Sequence, residues 1–535
     1  MSKRNLLIPF LILAFLYIYF PQIPPMFKNP NEWSRLYLAI SIVEFKSFRI
    51  DKPIKTLGDT QDKSSYNGHY YSDKAPGLSF VAAPFYLAIK GIASIAGINP
   101  DLKTTMFILR FICVSIPSLF IFMILNRLLN SLAPSENSGL YALFLVLGTN
   151  LFTYSTLFMS HILAAFLCLL SFYLLYKTES KISPGLTFLS GIISGFAILS
   201  EYPVALIVFI LIFYSYFQLK SIKCALLFCT GILIPTAILM YYNYACFGSP
   251  FSTGYHHKTD ALHAIYHSQG FVGFIYPKLG SIASILFSPS KGLLFYSPFL
   301  VFSTAGYIHI FKKRKMITWV WPGLLIPPAY IIAISSFVDW PGGWTVGPRH
   351  LVPALPFLCI PIGIFLERYK ENILMKSIFS ITGLFSIFLI LVCTAQFPYY
   401  PDIIRNPAFE IALPMVMEGI LMPNFGNYLG LSGTTSILIP LGVIVLGIIA
   451  TKSPCKYPVN KIHILRACLG ILIFVLLLGL FSIPVSKPDK LAAGRIEILL
   501  RLQKDKEAIL ELNNAMENFP DSQYSGYWKS LLNNR

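Results

Sequence analysis

The chain has 535 residues, of which 55% are hydrophobic and 12% are charged, and its mean hydropathy is +0.65. Soluble domains carry about 25% charged residues. This deficit of charge, together with long apolar runs, excludes a soluble globular protein and an intrinsically disordered one. The composition therefore predicts an all-α polytopic membrane protein.

Basic residues outnumber acidic ones by 42 to 24, which gives a formal net charge of +18. In membrane proteins such an excess gathers in the cytoplasmic loops, and the sequence has no nucleic-acid-binding motif. We therefore expect no nucleic acid as a partner. The nine Cys residues form no CxxC pair, so neither a disulfide framework nor a metal knuckle is predicted.

The apolar runs define the candidate membrane spans, each close to the roughly 20 residues that a helix needs. No small-residue cleavage site follows the first run, so we expect a retained span rather than a signal peptide. There are fourteen candidates: 5–22, 76–97, 105–126, 139–156, 158–176, 184–200, 203–219, 224–244, 291–311, 317–337, 351–367, 374–394, 435–451 and 464–483.

Basic clusters fix the predicted sides of the membrane. The clusters expected in the cytoplasm are Lys3-Arg4, Lys177/Lys181, Lys220/Lys223, Lys312-Lys313-Arg314-Lys315, Arg368/Lys370 and Lys452/Lys456/Lys461. Sides of the membrane can be assigned forward from Lys3-Arg4 or backward from the cluster at 312–315. The two assignments agree only if one of the fourteen candidates does not cross the membrane. We therefore predict that 76–97, which holds two Pro and Lys90, is re-entrant or only partly inserted. Thirteen spans of the cell (cytoplasmic) membrane remain, with the N-terminus on the cytoplasmic side and the C-terminus outside.

Two domains follow from this count. Residues 1–484 are predicted to form the transmembrane domain, with its first outer loop at 23–75. Residues 485–535 are charged, with apolar residues at helical spacing. We predict a tail of two or three helices on the outer face and assign it no chemistry.

Acidic residues concentrate in the first outer loop, where a long loop is typical of a functional segment or of disorder. A helix at about 31–46 is predicted to lie on the membrane surface. A carboxylate beside a cation at the membrane boundary, such as Asp73-Lys74, can deprotonate a hydroxyl while the cation holds a phosphate. The alternative is that the two charges only neutralise each other. The loop's acidic residues are Glu32, Glu44, Asp51, Asp59, Asp62 and Asp73.

One motif in this loop resembles a known family. Asn31-Glu32-x-Ser34-Arg35, followed by Asp73-Lys74-Ala75-Pro76-Gly77-Leu78, is similar to the first-loop pattern of the GT-C membrane glycosyltransferases, such as the lipid A aminoarabinose transferases and the protein O-mannosyltransferases. Weaker similarities follow at Glu201-Tyr202-Pro203, Phe247-Gly248-Ser249-Pro250, Lys291-Gly292-Leu293-Leu294 and Gly347-Pro348-Arg349-His350-Leu351. The family pattern has Asp where this chain has Asn31, and Glu where it has Asp73.

The resemblance implies a GT-C-like fold and sugar transfer from a polyprenyl-phosphate donor to a hydroxyl of a lipid, protein or polysaccharide acceptor. Membrane lipids would surround the site, on the outer face. Backside attack by the acceptor hydroxyl predicts inversion. Because Asn31 is no base, the catalytic candidates are Asp73, Asp62 and Glu32. Lys74 and Arg35 match phosphate-holding positions. The alternative function is a transporter or flippase of lipid-linked sugars.

Further polar residues are predicted on the same side. Arg349 is a candidate phosphate ligand, because a guanidinium forms paired hydrogen bonds with phosphate. The candidate substrate-binding residues are His69, Tyr70, His161, Glu201, Trp344 and His350. The alternatives are an interfacial aromatic belt for the residues around Trp344, a structural histidine at His161 and a helix cap at Glu201.

The sequence leaves a metal site undecided. Glu32, Asp62 and Asp73 offer hard oxygen ligands suited to Mg²⁺ or Mn²⁺. His263 and His267 are four residues apart, but no metal-binding motif surrounds them, and a histidine-containing solvated loop is the favoured interpretation.

Overall fold

The structure is a computed structural model, and it describes residues 3–22, 29–135, 137–178, 182–312, 317–451 and 461–533. Within these ranges the chain is helical apart from one hairpin, which confirms the predicted all-α polytopic class. Several basic residues that set the predicted orientation lie outside the described residues: Lys181, Lys313, Arg314, Lys315, Lys452 and Lys456. The orientation therefore stays a prediction.

The helices follow the predicted apolar segments closely. The first half of the chain contains α1 (Lys3–Tyr19), α2 (Pro30–Phe45), α3 (Asp51–Leu57), α4 (Gly77–Ile95), α5 (Leu102–Arg110), α6 (Ile116–Leu132), α7 (Ser138–Leu147), α8 (Asn150–Ser155), α9 (His161–Thr178), α10 (Pro184–Ser200), α11 (Ala205–Leu219), α12 (Ile222–Phe247) and α13 (Ala261–Ser268).

The second half contains α14 (Leu279–Phe287), α15 (Leu293–Tyr296), α16 (Phe302–Lys312), α17 (Ile317–Ser335), α18 (Cys359–Arg368), α19 (Ile373–Gln396), α20 (Leu413–Met417), α21 (Phe425–Tyr428), α22 (Leu438–Thr451), α23 (Lys461–Phe481), α24 (Pro488–Arg501), α25 (Asp505–Asn518) and α26 (Ser525–Asn533). A 3-10 helix, Arg349–Leu358, runs directly into α18.

Among the described residues, eight helical stretches are long and apolar enough to cross a membrane: Gly77–Ile95, Leu102–Leu132, His161–Thr178, Tyr202–Leu219, Ile222–Phe247, Arg349–Arg368, Ile373–Gln396 and Gly433–Thr451. Six shorter apolar helices of 10–17 residues accompany them in the described ranges. The predicted span 291–311 is broken into α15, a 3-10 turn and α16. Pro298 begins that turn, and a proline ring has no N–H to continue a helix.

The segment 76–97 lacks the break that a re-entrant segment would need. Gly77–Ile95 is one uninterrupted helix in which Pro84 causes no break. Nineteen residues at 1.5 Å per residue nearly match the roughly 30 Å hydrocarbon core. This helix has the length and composition of a span, and its partial insertion stays a prediction.

The first loop folds back into the protein. The prediction that α2 lies on the membrane surface was wrong, because Leu36, Tyr37 and Ile40 are at most 4% exposed and belong to the main core. A hairpin follows, in which β1 (Lys63–Tyr66) pairs antiparallel with β2 (His69–Ser72). Its two-residue turn, Asn67-Gly68, has positive φ at both positions, as tight hairpin turns require. Strand β2 therefore delivers Asp73 and Lys74 to a fixed place.

The tail consists of three helices, α24 to α26, packed around the buried Trp528. Polar contacts and apolar packing join it to the rest of the chain, and Ile498, Leu499 and Leu502 of the tail belong to the main core. Oε1 of Glu410 accepts hydrogen bonds from the N–H groups of Val485 and Ser486, at 2.6 and 2.7 Å. Arg495 pairs with Glu418 at 2.8 Å. The tail is thus held against the segment that contains both glutamates.

Candidate active site

Four side chains of alternating charge meet beside the hairpin, and we call them the charge quartet: Asp62, Asp73, Lys74 and Lys258. Nζ of Lys74 lies 2.8 Å from Oδ2 of Asp62 and 3.3 Å from Oδ2 of Asp73. Nζ of Lys258 lies 2.8 Å from the same oxygen of Asp73. The side chains of Asp73, Lys258 and Lys74 are 1%, 4% and 8% exposed, while that of Asp62 is 17% exposed. Two positive and two negative charges therefore balance in a nearly dry place.

Backbone contacts between two distant loops build the quartet. The residue Ser64 in β1 pairs with Lys258 as an isolated bridge, and the N–H of Thr259 donates to the carbonyl of Lys63 at 3.2 Å. A Cβ on Gly254 would lie 2.6 Å from Cα of Asp73, so only glycine permits this approach. The sequence had not singled out Lys258, because nothing local separates it from the other lysine of its loop, Lys278.

The electrostatics of the quartet favour the charged forms of Asp62 and Lys258. Burial alone would raise the pKa of Asp62, but the cations of Lys74, Lys258 and Arg349 outweigh burial and hold this pKa below its usual range. Burial alone would lower the pKa of Lys258, but Asp73 and Asp62 outweigh burial and raise this pKa. Asp62 and Lys258 are thus ionised at neutral pH.

A cavity of about 1250 Å³ opens beside the quartet. Its charged and titratable lining residues are Asp62, Lys74, Glu201, His256, Lys258, His263, His267, Lys291, Asp339, Arg349, His350, Asp402 and Arg501. Aromatic rings complete the wall, including Trp340 and Trp344. Three large apolar side chains on the wall are also strongly exposed: Phe251 at 79%, Leu262 at 54% and Phe271 at 82%. The cavity therefore combines a charged floor with an apolar margin.

Arg349 is the cavity cation without an acidic partner. No carboxylate among the described residues lies within ion-pair distance of its guanidinium, and its Nε has no hydrogen-bond partner there. A Cβ on Gly342 would lie 2.6 Å from that Nε, so the glycine leaves room for the side chain. An anion entering the cavity would satisfy Arg349.

A third lysine of the cavity wall, Lys291, is held by the loop that carries Trp344. Its Nζ donates to the carbonyl of Gly343 and to Oγ1 of Thr345, both at 2.7 Å, and lies 3.1 Å from Oδ1 of Asp402. The sequence had marked Lys291 only as part of a weak family string. Its contacts hold the loop that carries Trp344 and Arg349 in place.

Glu201 and His161 come together at the other side of the cavity. Nδ1 of His161 lies 3.4 Å from Oε2 of Glu201, and Ser160 donates its hydroxyl to the same oxygen. Glu201 lines the cavity, whereas His161 stands behind it with its ring centroid 6.1 Å from that of His350.

The structure brings six of the predicted site residues to the cavity wall: Asp62, Lys74, Glu201, Trp344, Arg349 and His350. Asp73 lies directly behind the wall within the quartet. Arg35 is buried nearby, where its guanidinium donates to Oδ1 of Asn31 and to the carbonyl of Ala75, each at 3.0 Å. His161 stands behind the wall, and the last three candidates, Glu32, His69 and Tyr70, lie elsewhere.

Glu32 points away from the cavity. Its carboxylate accepts from the N–H of Phe158 at 2.5 Å and from the hydroxyl of Tyr399 at 2.7 Å, and burial raises its pKa to about 7. His69 and Tyr70, in β2, do not line the cavity either. His69 instead faces Asp51 at 3.5 Å. These three positions suit structural contacts of the first loop.

The carboxylates offered to Mg²⁺ or Mn²⁺ do not form one ligand set. Glu32 is turned away, and Asp62 and Asp73 are already paired with lysines. In the described parts of the chain, no three His, Cys, Asp or Glu side chains converge as metal ligands would. The nearby histidines are engaged otherwise: His263 bonds to Asp260 at 2.7 Å, and His267 stacks on Tyr255 with ring centroids 4.3 Å apart. The geometry of this site therefore does not fit a divalent ion.

The tail also reaches the cavity. Arg501, the last residue of α24, lies on the wall with its guanidinium 4.4 Å from the ring centroid of Trp344. It also pairs with Glu497 at 3.2 Å. The sequence assigned this segment no chemistry, because a helix-end arginine in a charged tail resembles any solvated cation.

Replacing Arg501 with Ala should loosen this wall. A cation over an indole ring contributes about 1 kcal/mol, so we expect a rise of about fivefold in the KM of a cavity ligand and a kcat within about twofold. Steady-state kinetics would measure both. Lys506→Ala, which removes an exposed cation of the same tail, is the control. Equal KM values for both variants would contradict a role of Arg501 in the wall.

Comparisons with known proteins give structural similarity only, since no family model and no curated protein sequence matches the chain. ArnT from Cupriavidus metallidurans, bound to undecaprenyl phosphate, is similar at a TM-score of 0.46 and 12% identity, over 93% of this chain and 79% of that one. The oligosaccharyltransferase AglB from Archaeoglobus fulgidus, with an inhibitory peptide and a dolichol-phosphate, gives 0.44 and 11%, over 96% and 68%. An oligosaccharyltransferase structure from the same organism, with Zn and sulfate, gives 0.44 and 11%, over 85% and 59%.

At 11–12% identity no residue role can be transferred from ArnT or AglB. The chemistry of this site has to be argued from its own side chains.

Proposed function

We propose that the chain is a membrane glycosyltransferase that moves a sugar from a polyprenyl-phosphate donor to an acceptor hydroxyl, with inversion, at the outer face of the cytoplasmic membrane. The observation that carries this proposal is the cavity itself. It places a carboxylate with an open oxygen, Asp62, on the same wall as a cation without an acidic partner, Arg349. Such a pair suits the removal of a proton from a hydroxyl and the stabilisation of a phosphate leaving group.

The donor's two halves match two parts of the cavity. Its phosphate would bind Arg349, helped by the ammonium groups of Lys74 and Lys258, which also line the wall. Its apolar chain would run along the exposed margin formed by Phe251, Leu262 and Phe271, since burying apolar surface contributes about 25 cal/mol per Å². The rings of Trp340 and Trp344 offer flat faces for a sugar.

Asp62 is the proposed general base. Its Oδ2 binds Lys74, whereas Oδ1 makes no hydrogen bond to the described residues. The acceptor oxygen would attack the anomeric carbon and lose its proton to Oδ1. The bond from that carbon to the phosphate oxygen would break with its electron pair, leaving polyprenyl phosphate. Attack from the face opposite the leaving group inverts the anomeric centre.

Donor binding should also make Asp62 a stronger base. In the free protein, nearby cations hold its pKa down. A bound phosphate competes for those cations. Because their attraction to the Asp62 carboxylate then weakens, the pKa of Asp62 rises. The proposed site is therefore activated by its own donor.

The proposal is tested with the full chain in nanodiscs and radiolabelled polyprenyl-phosphate sugars. Transfer of label to a hydroxyl acceptor, with inverted configuration in the product, supports it. Retained configuration would refute the inverting mechanism. Labelled lipid that crosses the bilayer without sugar transfer would favour the alternative, a flippase of lipid-linked sugars.

The activation of Asp62 predicts a pH signature. The fall of kcat/KM toward acid pH, its acid limb, reports the pKa of the base in the free enzyme. The acid limb of kcat reports the pKa of the same base in the donor complex. Because the pKa of Asp62 is lowered in the free protein and recovers with bound phosphate, we expect the acid limb of kcat to lie at higher pH than that of kcat/KM. Initial rates between about pH 2 and pH 8 would cover both limbs, because a lowered Asp pKa lies below its unperturbed value of about 3.9. Coincident limbs would contradict this coupling.

A further inference from the structure

The charge quartet takes up the space that a metal ion would need. We propose that the ammonium groups of Lys74 and Lys258 stand in the place between Asp62 and Asp73 that a divalent cation would take, so that this carboxylate pair works without a metal ion. The exclusion of the ion is a property of the folded chain alone, whereas its use in sugar transfer rests on the proposed function.

The first argument is coordination. Oδ2 of Asp73 already faces two ammonium groups, Lys258 at 2.8 Å and Lys74 at 3.3 Å. Oδ2 of Asp62 faces Lys74 at 2.8 Å. Mg²⁺ needs oxygen ligands at about 2.0–2.1 Å in an octahedral arrangement. The Oδ2 atoms of both carboxylates are thus already taken by ammonium donors, whereas Oδ1 of Asp73 is buried and has no hydrogen-bond partner among the described residues.

The second argument is charge. The two aspartates and two lysines sum to zero, and three of the four side chains are at most 8% exposed. A divalent ion added to this group would leave two uncompensated positive charges in a dry place, which is strongly unfavourable. Removing either lysine would leave the group with a net charge of −1 and would lower this barrier.

The third argument is that the lysines are anchored. The backbone of Lys258 is held by the bridge to Ser64, and its neighbour Thr259 donates to the carbonyl of Lys63. Its Nζ lies 5.5 Å from the ring centroid of Tyr255. Lys74 is the second residue after β2, and its backbone N–H donates to Oγ of Ser72 at 3.3 Å. Moving the ammonium of Lys258 away would break its ion pair with Asp73, which joins the hairpin segment to the neighbouring loop.

Lysines in this position can also replace what an ion would supply. Each ammonium carries three donors, so donors remain for a phosphate after the contacts to aspartate are made. Both lysines line the cavity. They can hold the leaving phosphate directly, the electrostatic role that a metal ion plays in other transferases.

Mn²⁺ titration tests the exclusion without any turnover. The full chain is placed in phosphatidylcholine nanodiscs, and free Mn²⁺ is followed by electron paramagnetic resonance. We expect no tight Mn²⁺ binding by the wild type. We expect at least about tenfold tighter binding by Lys258→Met, which removes the nearer ammonium from Oδ2 of Asp73. Lys278→Met is the matched control, because Lys278 lies in the same loop, 5.7 Å from the ring centroid of Tyr276, but is exposed and has no acidic partner among the described residues.

A wild-type Mn²⁺ site that Asp62→Asn removes would overturn the proposal, and so would a folded Lys258→Met variant that gains no affinity. If that variant does not fold, the wild-type titration still tests the proposal, because tight Mn²⁺ binding that requires Asp62 would contradict it. Sugar transfer that survives EDTA supports the proposal, and loss restored by Mn²⁺ overturns it. A protein that transfers no sugar but excludes Mn²⁺ would refute the proposed function and leave this inference standing.

Discussion

Replacing Asp62 with Asn is expected to lower kcat by about 10³-fold, the range found for the loss of a positioned general base. The amide keeps the size of the side chain but cannot accept the proton of the acceptor hydroxyl. Single-turnover transfer of radiolabelled sugar in nanodiscs would measure the chemical step. Donor binding should persist, because Arg349 and Lys258 remain in the wall.

Asp59→Asn is the matched control for this experiment. Asp59 belongs to the same loop, but its side chain is 65% exposed and pairs with Lys63 rather than with the quartet. We expect a change in kcat of less than about twofold, as for most exposed substitutions. A loss of the same size in both variants would indicate a disturbed loop instead of a missing base.

Replacing Arg349 with Ala is expected to have the second-largest effect, a fall of about 10²–10³-fold in kcat/KM, the usual consequence of removing one donor to a developing anion. The guanidinium has no acidic partner in the described structure, so its removal exposes no buried carboxylate. The fold should therefore survive. Arg349→Lys should restore only part of the activity, because an ammonium lacks the planar pair of donors.

Thermal stability separates this effect from unfolding. Arg405→Ala removes an exposed arginine of an outer-loop segment and serves as the control. We expect both variants to melt within a few degrees of the wild type. If Arg349→Ala keeps full kcat/KM, the donor phosphate binds elsewhere.

The membrane helices could be predicted because each is an apolar run of the right length. Such a run can be recognised without knowing what packs against it. The first-loop helix shows the limit of that reasoning. An apolar stripe on α2 has the same pattern whether it faces lipid or protein. Its partner is α4, and only the tertiary structure shows that Leu36 and Tyr37 are buried within the protein.

The candidate site was predictable where its residues are neighbours in sequence. Asp73 and Lys74 follow one another in the motif, and Asp62 lies one hairpin earlier in the same acidic loop. Lys258 comes from a loop almost two hundred residues later, and its pairing with Asp73 depends on the approach of Gly254 to that residue. Glu32 shows the converse, since it shares the motif but its carboxylate is turned toward Phe158 and Tyr399.

The docked tail has a consequence for how the protein matures. The cavity wall contains both Asn31 and Arg501, which lie far apart in the sequence. Ribosomes make and insert a chain from the N-terminus, so the first loop is made long before α24. A nascent chain that stops short of α24 would hold Asp62 beside a cavity whose wall is incomplete. Closure of the cavity therefore waits for the synthesis of α24.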